Sequence, residues 1–248
     1  RGKYLLQAIR DVTPLPVTAL VYSHYHVDHI GDSPFWNDEA KKEGVNLRII
    51  ASKATAEKMQ FMNSRLPVAT QVLSKKDDQF KFEKQTIELH RFVKAGHTDD
   101  HSVWLLKQEK VAHSPDLLNP DQLPMMGFAV SDTLVYHDSN LRQVEMLDWK
   151  YFIGGHGNIG SHDDFKFQRQ FLNDLRDTTI KVRKEESFGK FMNIPYETPR
   201  ELKKRIGHLA YIREGARDFF RKVKLYDITY EVDNEKYRGL FSFALITN

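Results

Sequence analysis

Apolar positions along the chain fall into short compact runs separated by polar or glycine-rich stretches, the pattern of strands alternating with helices. Residues 17–22 and 47–51 are aliphatic runs that predict buried strands, and residues 3–10 have the spacing of a helix end. Ser52 is placed to cap a helix reaching about Asn63, with Ala54, Met59 and Met62 on its inner face. Residues 85–93, 103–106 and 110–113 predict three successive strands, joined by loops at 96–101 and 114–115. Between 119 and 133, Pro120, Pro124 and Gly127 surround Met125, Met126 and Phe128, a loop whose apolar tip can line a pocket. Residues 141–147 predict a short helix, 151–153 a last buried strand, 154–160 a glycine-rich turn, and 163 to about 182 a longer helix carrying Phe165, Gln168, Phe171, Leu172 and Leu175.

Beyond that helix, residues 188–196 read as a linker. Thr198-Pro199-Arg200-Glu201 starts another helix, with Thr as N-cap, Pro at the first helical position and Glu closing a capping box. Its apolar stripe runs through Leu202, Ile206, Leu209, Ile212, Phe219 and Val223, and residues 226–232 and 239–246 predict two strands joined through Asp233-Asn234. The expected organisation is a main domain over 1–185 and a helix-and-strand extension over 186–248.

Composition narrows the chemistry more than the fold. The 248 residues are 40% hydrophobic and 29% charged with a net charge of +3, ordinary for a globular chain and too little charge to argue for nucleic acid. No apolar run approaches a membrane span. The span 181–224 holds 13 basic and 6 acidic residues, without the aromatic interleaving that stacks bases, and reads as a solvated helix face. The chain opens Arg1-Gly2-Lys3, so localisation is not assigned, and nothing in the pattern sets an oligomeric state. With no Cys and 11 His, thiolate sites and disulfides are excluded and any metal must sit on nitrogen and oxygen.

The histidines are not scattered. Residues 24–29 read His24-Tyr25-His26-Val27-Asp28-His29 at the end of the first predicted strand. Two imidazoles at i and i+2 leave a strand end on one side and can grip one metal, while Asp28 and His29 on the following turn can reach a second. Three later loops each offer one more group after a predicted strand: Gly96-His97-Thr98, Pro115-Asp116 and Gly154-Gly155-His156-Gly157. Asp121 and Asp132 lie close enough in sequence to compete with Asp116. His101, His113, His137 and His162 read as packing or surface residues, with His101 a candidate to support a ligand, and Tyr25 and Tyr136 read as structural.

This series resembles the metallo-β-lactamase-fold superfamily of hydrolases, four of whose five signatures can be matched in order over roughly residues 3–180. The resemblance implies an αββα sandwich of the α/β (α+β) class, two sheets face to face with helices outside. It implies His24, His26 and His97 on a first metal ion, Asp28, His29 and His156 on a second, and Asp116 bridging them. Two zinc ions are expected, with iron or manganese as substitutes. Two departures stand out. The first signature, a strand ending in an Asp-x-Gly-like turn, has no counterpart before His24, so the sandwich is expected to lack its opening strands. Ser114-Pro115 and Asp32 occupy positions where the superfamily commonly has Gly, and neither change removes a ligand.

The implied activity is a binuclear zinc-dependent hydrolase that attacks the ester, thioester, lactone or amide bond of a small molecule with metal-bound hydroxide. Asp28 is its expected proton-handling catalytic residue. Two other readings carry the same motif: a mononuclear iron sulfur dioxygenase of this fold, and a metal-binding subunit without turnover.

Overall fold

A computed structural model describes residues 2–124, 127–185, 225–232 and 235–242. The chain forms two compact units, Arg1–Arg169 and Gln170–Asn248.

Unit 1 opens with α1 (Gly2–Val12), β1 (Ala19–Val21), α2 (Val27–Ile30), α3 (Ser33–Lys42), β2 (Arg48–Ser52), α4 (Lys53–Phe61) and β3 (Gln71–Leu73). The three strands make a parallel sheet in the order β1-β2-β3, with Leu20 opposite Ile49 and Ala51 opposite Val72. Among the described residues β1 pairs with β2 alone. A second sheet of six strands follows chain order: β4 (Gln79–Phe82), β5 (Gln85–Arg91), β6 (Ser102–Leu106), β7 (Val111–His113), β8 (Tyr151–Ile153) and β9 (Ile159–Gly160). All its pairings are antiparallel except β7 with β8. A parallel neighbour needs a crossover rather than a hairpin, and the segment 114–150, with α5 (Gly127–Val130) and α6 (His137–Glu145), supplies it.

The layering follows from the two faces of β2. Ile49 and Ala51 point into a cluster with Trp36 and Ala40 of α3 and Met59 of α4, against which Leu6 and Ile9 of α1 also pack. Ile50, one residue out of phase, points into a second cluster with Leu73, Phe80, Leu89 and Trp104, between the two sheets. On the far side Phe152 of β8 meets Phe165 of α7 (His162–Glu185) edge-on at 4.8 Å, and both are fully buried. Helices, sheet, sheet, helices is the αββα sandwich expected from the resemblance.

Several details differ from the sequence reading. Ala54 is exposed and Met62 is 51% exposed; the inner face of α4 is Thr55 and Met59. Ser52 does cap the helix, its side chain accepting from Thr55 N, and that cap sets the phase so that 55 and 59 turn inward. The strand expected over 85–93 stops at Arg91. Residues 27–30 form a helical turn, and α3, β3, β4 and β9 were not legible: α3 buries only Ser33, Trp36 and Ala40 in an otherwise polar segment, and the strands are two to four residues long.

In unit 2, β10 (Leu225–Val232) and β11 (Glu235–Ser242) pair antiparallel from Leu225 opposite Ser242, so the second strand begins four residues before the position expected. The expected linker, the helix starting at Thr198 and most of the basic span lie outside the described residues, as do Met125, Met126 and the Asp233-Asn234 joint. No described helix is long and apolar enough to cross a membrane.

Candidate metal centre

The site gathers at the ends of β1, β7 and β8 and on the loop between β5 and β6. Tyr22 N donates to Ile50 O at 2.8 Å, which carries sheet pairing one residue past β1 and aims His24 inward, fully buried. His26 stands just before α2 in extended backbone, and the helical turn that follows presents Asp28 and His29 on its two central residues. From the β7 end, Asp116 enters in the left-handed backbone region at φ 65°. A non-glycine residue held there stores strain, and such strain collects at functional sites. Its amide donates to Gly154 O at 2.9 Å, tying the β7 loop to the glycine turn after β8. In that turn Gly155, at φ 84°, leaves no room for a side chain: a Cβ would stand 2.8 Å from Pro115 Cβ and 2.9 Å from His29 Cε1.

Six side chains gather around the Asp116 carboxylate. Its Oδ2 lies 3.0 Å from His29 Nε2, 3.1 Å from His97 Nε2, 3.6 Å from His24 Nε2 and 3.9 Å from His26 Nδ1. Oδ1 lies 3.2 Å from His156 Nε2, and Asp28 Oδ2 lies 3.4 Å from His29 Nε2 and 3.6 Å from His156 Nε2. Two groups of candidate ligand atoms result, each within 4.8 Å: His24, His26, His97 and Asp116, and Asp28, His29, Asp116 and His156. All seven residues singled out from the sequence are therefore brought together, with Asp116 common to both groups.

The donor atoms fit a cation better than they fit one another. His97 Nε2 has His24 Nε2 at 3.2 Å and His26 Nδ1 at 3.1 Å besides the carboxylate. A neutral imidazole nitrogen carries one proton or one lone pair, so three facing nitrogens cannot all be satisfied by hydrogen bonds. Asp116 Oδ1 is buried and receives no hydrogen bond despite its nearness to His156. Facing lone pairs and an orphaned carboxylate oxygen are the features a divalent ion would relieve, and an all nitrogen and oxygen set suits zinc, iron or manganese.

Electrostatics divide the site. Burial works to raise the Asp116 carboxyl, yet hydrogen bonds from His24, His26, His29 and His97 outweigh it and hold the group well below the carboxylate range. Burial pushes His24 down, opposed by Asp116, whereas the same carboxylate lifts the more exposed His26 against its burial. Exposure increases outward: His24 and His97 form a sealed floor, and Asp28, with half its side chain open, stands at the mouth beside His156.

The other candidates fall outside the cluster. Asp132 is exposed and its amide donates to His97 O at 2.8 Å, and Asp121 accepts from Asn158 Nδ2 at 2.8 Å. His101 is buried, its ring 5.2 Å from that of His97 and its Nε2 3.1 Å from Ser114 Oγ. His113 Nδ1 faces Ile153 O at 3.1 Å, and His162 stacks on Trp149 at 3.8 Å. Phe128 meets the buried His137 edge-on at 5.2 Å, so it packs inward and is only half-exposed. Tyr25 lies under Lys58 Nζ at 5.0 Å and Tyr136 OH accepts from Lys94 Nζ at 3.3 Å. Two contacts were not foreseen: Ser131 Oγ stands 3.5 Å from His97 Nδ1, and Asn140 binds the loop that carries His97.

Comparison with known proteins agrees with this geometry. Residues 2–156 match the family model of the metallo-beta-lactamase superfamily. Among solved structures, the chain resembles the metallo-beta-lactamase from Pontibacter korlensis at 21% identity and a TM-score of 0.56, covering 69% of this chain and 76% of that one. It resembles metallo-beta-lactamase IND-7 at 18% identity and a TM-score of 0.56, covering 69% of this chain and 75% of that one. A metallo-beta-lactamase from Hirschia baltica matches at 20% identity and a TM-score of 0.50, covering 66% and 71%. No curated protein sequence matches. At these identities the neighbours speak for the fold alone, and the family model, spanning more than half of the chain, establishes that this protein belongs to the metallo-beta-lactamase superfamily.

Proposed function

We propose that this protein is a binuclear zinc-dependent hydrolase acting on an ester, thioester, lactone or amide bond of a small molecule. The observation that carries the reading is the convergence of five imidazoles and two carboxylates in two groups that share Asp116. In it, His24 Nε2, His26 Nδ1, His97 Nε2 and Asp116 hold the first ion, and Asp28, His29, His156 and Asp116 the second. Bound divalent ions supply a nucleophilic water of lowered pKa and polarise the oxygen of the bond to be cleaved.

The chain's own residues do the rest. Asp116, kept ionised by its four histidine neighbours, binds the two groups together. Asp28 Oδ2, open to solvent at the mouth, accepts a hydrogen bond from the attacking water, fixes the direction of its lone pair and passes the proton to the leaving group. Buried His24 and His97 exclude bulk water from the floor, where charge developing on the substrate is screened least. Substrate enters past Asp28, His26 and His156, the ligands with exposed side chains.

Metal analysis of purified protein, followed by chromogenic esters, thioesters, lactones and phosphodiesters, tests the reading. Two zinc equivalents with hydrolysis are the expected result. One iron equivalent with oxygen consumption on a persulfide replaces the hydrolase by a dioxygenase, and metal uptake without turnover on any substrate replaces it by a binding subunit.

A further inference from the structure

We infer that Asn140 of α6 is a positioning residue for the three-histidine group, holding His97 in place from outside the ligand set. The inference rests on the two-metal reading above and adds a residue to it.

The loop carrying His97 is clamped at four backbone atoms. Asn140 Oδ1 accepts from Gly96 N at 2.7 Å, and Asn140 Nδ2 donates to Lys94 O at 2.7 Å. Thr133 N donates to Gly96 O at 2.9 Å and Asp132 N to His97 O at 2.8 Å. Three of the four atoms precede the imidazole-bearing residue or belong to the residue next to it, and the two Asn140 bonds are the ones made by a side chain. Asn140 is fully buried, as are its neighbours Leu141 and Val144, so its amide is fixed by packing and both of its ends are used. The fit is close: a Cβ on Gly96 would stand 3.2 Å from Asn140 Oδ1 and 3.2 Å from His137 N.

What this precision holds in place is a ligand with no tolerance. His97 Nε2 stands 3.1–3.2 Å from three other donor atoms, and among the described residues its remaining nitrogen has Ser131 Oγ at 3.5 Å alone to orient it. The aim of the imidazole therefore depends on the backbone on its amino-terminal side, which Asn140 grips. Among the described residues the Asn140 side chain bonds to neither α2 nor the glycine turn, which carry Asp28, His29 and His156. Loss of Asn140 should loosen the first ion and leave the second.

Full-length protein carrying Asn140→Leu, near in size but unable to hydrogen-bond, or Asn140→Asp, which keeps the acceptor for Gly96 N, is titrated with Zn²⁺ against a chromogenic chelator. The same is done in His97→Ala and His156→Ala backgrounds, with unfolding of each variant followed in excess chelator. Supporting partners of ligands are worth roughly ten- to a hundredfold in metal affinity. A loss of that size is expected for Asn140→Leu in the wild-type and His156→Ala backgrounds, a smaller one for Asn140→Asp, and none on top of His97→Ala. Equal losses in the His97→Ala and His156→Ala backgrounds, or a drop in metal-free stability with unchanged affinity, overturn the inference and leave Asn140 a packing residue. If Asn140→Leu does not fold, Asn140→Asp decides alone, with the same cycle. Wild-type protein that takes up no Zn²⁺ overturns the metal reading, and this inference with it.

Discussion

His97 Nε2 lies 3.1 Å from Asp116 Oδ2, and neither side chain is exposed. One comes from the loop between β5 and β6, the other from the end of β7, and this contact joins the three-histidine group to the group at the mouth. Because the carboxylate is ionised and its histidine neighbours cannot all donate to one another, the metal-free site is an arrangement of opposed lone pairs around a single anion. Four outcomes follow from that.

Metal should stabilise the fold. An ion that binds the folded site and ignores the unfolded chain adds about 2.7 kcal/mol at a hundred times its dissociation constant. Thermal unfolding with excess chelator and then with Zn²⁺ should show a rise of several degrees, and replacing Asp116 with Ala should remove most of it. An unchanged melting temperature in wild-type protein would show that the seven groups do not form a metal site.

Replacement of Asp28 with Ala removes the proton-handling carboxylate and one ligand of the second group together, and leaves the first group's ligands intact. Hydrolysis on the best substrate of the panel should fall by roughly 10²–10⁴, the range for loss of a positioned acid or base. The three-histidine group should keep its ion, since it does not include Asp28. Activity that persists with metal content unchanged would falsify the role given to Asp28.

Acid should destabilise the metal-free protein well before ordinary carboxylates titrate. Burial pushes His137 down to about 4 and also lowers His24 and His101. In each case the unfolded chain, near the ordinary histidine value of 6.5, binds the proton first. The stabilising contribution of His137 is complete above pH 6.5 and is lost as pH falls toward 4, at about 1.4 kcal/mol per pH unit, and His24 and His101 act in the same direction. His26, raised by Asp116, acts in the opposite sense and offsets part of the slope. Urea unfolding in chelator at several pH values measures it, and His137→Gln should be shallower. A flat profile between pH 7 and 4.5 contradicts the burial of these neutral imidazoles.

Gly155→Ala should be costly for two reasons that add. The residue sits at φ 84°, and the new methyl would meet Pro115 Cβ at 2.8 Å and His29 Cε1 at 2.9 Å. A loss of about 2–3 kcal/mol in chelator is expected, with weakened binding at the group containing His29. Gly44→Ala, where φ is 70° but nothing lies within 4 Å, is the control and should show the smaller backbone effect alone.

Much of the site was legible because ligand identity is a local property. His24, His26, Asp28 and His29 sit within six residues, and strand-end spacing alone places two imidazoles on one side. His97, Asp116 and His156 were recognisable because each stands on a short loop directly after an apolar run, in the order the superfamily uses. The alternation of runs located most strands and helices, while the sandwich itself was implied by the family resemblance; where the alternation failed, at α3, β3, β4 and β9, the segments were too short or too polar to show a period. The inner face of α4 was misplaced because its phase is set by the Ser52 cap and the sheet beneath, not by which residues are apolar.

The sequence by itself thus determined which residues carry donor atoms, that no thiolate is among them, and the class of fold that presents them. Only the tertiary structure gave the distances by which Asp116, expected as the bridge, reaches both groups, and decided that His26 turns Nδ1 inward while His24 and His97 turn Nε2 and that Asn140 grips the His97 loop. The physical reason is separation along the chain: these contacts join residues from 19 (His97 and Asp116) to 92 (His24 and Asp116) positions apart, and their distances are set by the packing of two sheets and α6, which no local spacing contains.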